Sequence, residues 1–70
     1  MKVTTIFNQF SKTKRVIIYE EHFRNGSRYR VDVFKVTRKC ETLKEQIPFK
    51  NKDASLAMAR IILNKELQYV

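Results

Sequence analysis

The stretch that most constrains this chain is Asn51-Lys52-Asp53-Ala54-Ser55-Leu56-Ala57-Met58-Ala59-Arg60-Ile61-Ile62-Leu63-Asn64-Lys65-Glu66-Leu67. Ala, Leu, Met, Lys, Glu and Arg dominate it, and these side chains lose little rotamer freedom in a helix. Asn51 or Asp53 supplies a capping oxygen, and Pro48 upstream favours an extended approach. One helix is therefore predicted here. At about 100° per residue, Ala54, Ala57, Met58, Ile61 and Ile62 fall on one side and Leu56, Ala59, Leu63 and Leu67 on the other. A helix lying on a sheet needs only one such stripe. The small-residue side suits close approach to a sheet. Leu56, Leu63 and Leu67 then await a cover: a terminal segment or first helix, a protein partner, or a second copy in a homo-oligomer.

Three segments before the helix read as strands. Arg15–Phe23 holds Val16-Ile17-Ile18-Tyr19 and turns polar at Glu20-Glu21-His22. Arg24-Asn25-Gly26-Ser27 is a turn, because Asn-Gly between strand-like runs is a strong hairpin signal. Arg28–Thr37 alternates, with Tyr29, Val31 and Val33 on one face and Arg30, Asp32, Phe34 and Val36 on the other. Leu43–Phe49 is a weaker strand carrying Leu43, Ile47 and Phe49. The first segment is open to two readings. Val3-Thr4-Thr5-Ile6-Phe7 suits a strand by its β-branched content, whereas a helix capped by Thr4 or Thr5 puts Ile6, Phe7 and Phe10 on one side. The expected fold class is α+β: a three-stranded antiparallel sheet packed by a C-terminal helix, with a short N-terminal helix or extra strand (α-β-β-β-α or β-β-β-β-α). Such a meander offers one face to the helix and leaves the other partly wet.

Seventy residues make one small basic domain, residues 1–70, with a core that is marginal at this length. A lone cysteine, Cys40, rules out an internal disulfide and a cysteine-based zinc site, and fits the reducing cytoplasm expected as its compartment. No run is apolar and long enough for a signal peptide or membrane span. Fifteen Lys and Arg against seven Asp and Glu give a net charge of +8. That excess points to a polyanion, nucleic acid first and an acidic protein second. Enzyme signals are weak. His22 next to Glu21 lacks a second acid–base group, Cys40 beside Arg38 and Lys39 lacks a nearby histidine, and one glycine cannot build a phosphate loop. The expectation is a protein without catalytic residues, metal or cofactor.

The alanine spacing of Asn51–Arg60, together with Ile6-Phe7-Asn8-Gln9-Phe10, Tyr19, the Gly26 turn and Arg30-Val31-Asp32-Val33, resembles a divergent double-stranded RNA-binding domain. The resemblance implies the α-β-β-β-α order and tips the first segment toward a helix. It implies that Asn8 and Gln9 meet one minor groove of an RNA duplex and that the turn with Arg24, Asn25 and Arg28 meets the next. Lys50, Lys52 and Ser55 would take phosphates between them, and a helix N-terminus attracts phosphate on physical grounds as well. Lys12 and Lys14 extend the basic surface. A second basic set, Arg28, Arg30, Arg38 and Lys39, is interleaved with Tyr29 and Phe34, a pattern that suits single-stranded nucleic acid. Tyr29 shares a face with Val31 and Val33, which assigns it to the core instead. In size and charge the chain also resembles the small accessory proteins of large bacteriophages, some of which counter host toxins or defences. The expected function is electrostatic, weakly sequence-specific binding or sequestration of duplex or structured RNA, with inhibition of an RNA-acting host enzyme or toxin as one outcome. The alternative is an inhibitor or adaptor that docks on an acidic protein through the C-terminal helix.

Overall fold

The computed structural model describes the backbone of residues 2–67 and the side chains of residues 2–64. Four strands precede one helix: β1 (Lys2–Ser11), β2 (Lys14–Phe23), β3 (Gly26–Val36), β4 (Glu41–Phe49) and α1 (Lys52–Leu67). The strands form a single antiparallel meander in the order β1-β2-β3-β4. This corrects the expected three-stranded sheet and the preference for an N-terminal helix. Residues 2–11 pair with β2 from Lys2 opposite His22 to Ser11 opposite Lys14. An isolated helix this short is marginal in water, so a full ladder plus β-branched side chains outweighs a threonine cap.

Two irregularities shape the sheet. In β1 the register slips between Thr5 and Phe7, which makes Ile6 an extra residue, and both Ile6 and Phe7 pack against the core. A bulge is how a strand turns two successive side chains to one face. In β4, Val33 faces Glu45 while Phe34 faces Leu43, leaving Lys44 unmatched in the ladder. The hairpin between β2 and β3 is shifted by one residue from the Asn-Gly reading. Phe23 pairs with Gly26, so Arg24 and Asn25 form the loop, and the positive φ falls on Gly26 alone at 136°.

The core lies between one face of the sheet and α1. Val16 and Ile18 of β2 face Val33 and Val31 of β3, and all four are buried with Ala59. Ile6, Phe7, Tyr29, Ile47 and Phe49 surround this cluster. Asn51 caps the helix: its Oδ1 accepts the N–H groups of Asp53 at 2.7 Å and Ala54 at 3.3 Å. Ser55 is fully buried in the helix–sheet contact, and its hydroxyl donates to the Lys52 carbonyl at 2.6 Å.

The helix does not use either of its two stripes as a unit. It buries the seam between them, Ser55 and Ala59, one turn apart. Ile62 comes in from one stripe and Leu56 and Leu63 from the other, all packed against the core. Ala54, Ala57 and Ile61 are left outside. The two small residues let the backbone come close to the sheet, and a polar serine at the seam hid it from a hydrophobicity count. The expected free stripe is thereby corrected for Leu56 and Leu63, which are half-buried under the helix; the side chain of Leu67 lies outside the described residues.

The seam makes a direct prediction for thermal or denaturant melts. Ala59→Leu forces bulk into the closest contact and should cost about 1–3 kcal/mol, whereas Ile61→Ser on the outer side should stay within about 0.5 kcal/mol of the parent. Gly26→Ala meets open space, so its cost is conformational, about 1–2 kcal/mol for an L-residue held at that φ.

Candidate nucleic-acid interface

A single helix covers a single face of the sheet. The period of two then sends every other residue of the strands to the opposite, open face. Along β2 these are Arg15, Ile17, Tyr19, Glu21 and Phe23, and from β3 come Arg28, Arg30, Asp32 and Phe34, by the register of the pair. Asn8 and Phe10 join from β1, and Leu43, Gln46 and Pro48 from β4. Phe10 is 70% exposed and Phe23 and Leu43 close to half exposed, which is unusual for side chains of this size.

Arginine and aromatic side chains are matched across this face. The Arg15 guanidinium lies 5.5 Å from the Phe10 ring centre, Arg30 lies 5.0 Å from Tyr19, and Arg28 lies 5.7 Å from Phe23. The β2 members are Arg15, Tyr19 and Phe23, four residues apart, so the pairs recur roughly every 13 Å along the strand. Carboxylates hold two of the three guanidinium groups from the side. Arg15 Nη2 is 3.2 Å from Glu41 Oε1, Arg30 Nε donates to Asp32 Oδ1 at 3.1 Å, and Arg30 Nη1 is 3.6 Å from Glu21 Oε2. Asp32 is only 4% exposed on this face, packed in by its neighbours. Arg15 Nε is buried without a hydrogen-bond partner, leaving one unused donor at the edge of the row.

Unpaired-looking charge gathers at the two ends of the strands. At one end Arg24 and Asn25 form the exposed hairpin loop, and Arg28 lines a shallow hollow with Pro48, Phe49 and Lys50. Lys52 follows as the first, exposed helical residue. At the other end the Val36 N–H donates to the Thr13 carbonyl at 2.7 Å, joining the β1–β2 turn to the end of β3. Lys12 is exposed there, and Lys14 stands directly opposite Lys35, an arrangement of like charges that costs stability. Arg38 and Lys39 lie in the adjoining loop.

Of the residues singled out from sequence, Arg28 and Arg30 belong to the open face, with Arg24, Asn25 and Lys50 at its edge. Lys12 and Lys14 sit at the far end, and Lys52 at the helix start. Three placements are overturned. Ser55 is buried and cannot touch phosphate. The two helix-start N–H groups of Asp53 and Ala54 are already taken by Asn51, and the Asp53 carboxylate stands beside them. Asn8 and Gln9 lie on a strand and point to opposite faces, so they cannot enter one groove together. Two contacts implied by the family resemblance, Ser55 on phosphate and Asn8 with Gln9 in one groove, are therefore not present.

Phe10, Arg15, Tyr19 and Phe23 were not singled out as binding residues. Their signal was legible: Val16-Ile17-Ile18-Tyr19 is a strand apolar on both faces, which asks for cover on both. Tyr29, by contrast, lies on the helix side and donates to Glu20 Oε2 at 2.8 Å. His22 also lies on the helix side of β2, with Nε2 3.2 Å from Glu20 Oε1 and Nδ1 3.3 Å from Ser27 Oγ, and ties the strand ends together. Among the described residues no three of His, Cys, Asp and Glu gather closely enough to hold a metal ion. No helix of the described residues is long and apolar enough to cross a membrane.

The Tyr29 phenol is pushed above its ordinary value of 10.0, first by its hydrogen bond to Glu20, then by burial, then by the charges of Glu20 and Asp53. The folded state thus binds that proton more tightly than the unfolded chain. Stability should be flat below pH 10 from this source and fall as pH rises through the folded value. An ultraviolet titration should show one late-ionising tyrosine that Tyr29→Phe removes; a first-to-ionise Tyr29 would contradict the bond. Neither a family model, nor a curated protein, nor a solved structure matches the chain.

Proposed function

We propose that this protein binds single-stranded RNA across the open face of its sheet, by stacking and charge rather than by catalysis. The observation that carries the proposal is the row of three arginine–aromatic pairs on a face that the helix does not cover. Bases of a single strand present π faces that stack on aromatic rings and guanidinium planes, whereas a duplex keeps those faces inside its stack. The basic hairpin end and the basic β1–β2 end give the phosphate backbone a place to enter and leave. Net charge of +8 supplies the long-range attraction.

The carboxylates of the face fit RNA better than DNA. Glu21 repels phosphate, but its remaining lone pairs accept a ribose 2′-hydroxyl or a base amino group. Binding of this kind is weakly sequence-specific, and its effect is occupancy: RNA held on the sheet is withheld from an enzyme that acts on it.

A second reading draws on the same face. Aromatic residues and arginine with their charge internally balanced also describe the centre of a protein interface. An acidic partner would then dock on the open sheet face; the helix side chains Leu56 and Leu63 are engaged with the core.

Fluorescence anisotropy separates the readings, with single-stranded RNA, single-stranded DNA and duplex RNA of matched length at two salt concentrations. The single strand should win, RNA over DNA, with a log–log salt slope of about −2 to −4 for three to five neutralised phosphates. Tyr19→Ala and Phe23→Ala should each weaken binding about tenfold, since stacking contributes about 1–3 kcal/mol per base, with melting temperatures little changed. Duplex preference, or indifference to both substitutions, would sink the proposal. Absence of nucleic-acid binding at low salt leaves the protein-docking reading as the one to pursue.

A further inference from the structure

The two edges of the sheet are not alike. β4, the last strand, carries Glu41, Lys44, Glu45 and Pro48 and is broken by the bulge at Lys44. Charge, proline and bulges are the devices by which natural sheets keep an edge from pairing. β1, at the opposite edge, has none of the charges or prolines from Val3 to Ser11. Its own bulge lies at Ile6, so the run beginning at Phe7 is regular. Asn8, Gln9 and Phe10 are exposed on it, and Phe10 is the most exposed large apolar residue described.

We infer that β1 pairs with β1 of a second copy, joining two sheets into one eight-stranded antiparallel sheet. The occupant is a copy of the chain, because an edge strand uncharged from Val3 to Ser11 is self-complementary about a two-fold axis. A molecule with a net charge of +8 repels its own kind over most of its surface, and β1 is the edge where two copies meet without opposing charges. An unrelated acidic partner would gain more at the basic strand ends than at this neutral edge.

Symmetry then fixes much of the geometry. With a two-fold axis through the sheet, opposite residues must lie on the same face, so pairing joins positions of like orientation. Centring on Gln9 avoids the Ile6 bulge, places Gln9 against its own copy and sets Asn8 against Phe10 of the second copy. The two open faces become continuous, with Phe10 of each copy at the junction. Such a strip is smaller than a standard interface, so the dimer is a reversible one.

Sedimentation velocity over a concentration series, without nucleic acid, tests this independently of the RNA proposal. The parent should shift from monomer to dimer with rising concentration. Gln9→Lys puts two ammonium groups face to face and should weaken the dimer at least tenfold. Thr42→Lys, on the β4 edge, adds the same charge and should leave it unchanged. In a Cys40→Ser background, Gln9→Cys should form a disulfide-linked dimer under mild oxidation and Thr42→Cys should not. A parent that is monomeric at every attainable concentration overturns the inference, as does a dimer that Gln9→Lys and Thr42→Lys affect equally.

Discussion

Everything in this molecule depends on how closely one helix approaches four buried side chains. Val16, Ile18, Val31 and Val33 form a flat aliphatic patch on the two central strands, and Ser55 and Ala59 are small enough to let α1 settle on it. Burying each such aliphatic side chain contributes roughly 1.5–3 kcal/mol before the entropy of ordering is charged against it. A domain of this size has a net stability of only a few kcal/mol, so no member of the patch is dispensable. The buried serine is tolerated because its hydroxyl turns back to a helix carbonyl and leaves no unpaired polar group in the contact.

That same contact dictates what the other face must be. A four-stranded sheet has two faces, and among the described residues one helix covers one of them and leaves the second open. β2 is apolar on both sides, with Val16 and Ile18 inward and Ile17 and Tyr19 outward. Arginine resolves the tension. Laid against Phe10, Tyr19 and Phe23, guanidinium groups cover ring surface that water would otherwise cover poorly, and keep planar, polarisable groups at the surface. A face built this way exposes rings with a cationic group beside each of them.

Much of the fold was legible in the sequence, though not its outline. The C-terminal helix, its Asn51 cap and the three strands after the first turn follow from propensity, periodicity and turn chemistry. The first strand did not, because Val3-Thr4-Thr5-Ile6 and Ile6-Phe7-Asn8-Gln9-Phe10 carry competing signals that only pairing with β2 decides. The helix face was misassigned because the buried seam is marked by a serine that belongs to neither stripe and by Ala59, the smallest member of its own. Arg28 and Arg30 were singled out by charge, and both lie on the open face. The need for cover on both faces of β2 was legible in Val16-Ile17-Ile18-Tyr19, but the meeting of Phe10, Arg15, Tyr19 and Phe23 depends on strand register, which no local pattern encodes.

The acidic partners of Arg15 and Arg30 have one more consequence. Glu41, Asp32 and Glu21 act as counter-ions built into the surface, so Arg15 and Arg30 are already neutralised before any ligand arrives. Binding there is an exchange in which an incoming anion must displace a tethered one. A diffuse polyanion gains little from such an exchange, whereas a ligand that also fills the aromatic surface gains on both counts. On the proposed reading the face would filter for ligands that combine charge with a flat ring, in a molecule whose overall charge alone would attract any acid.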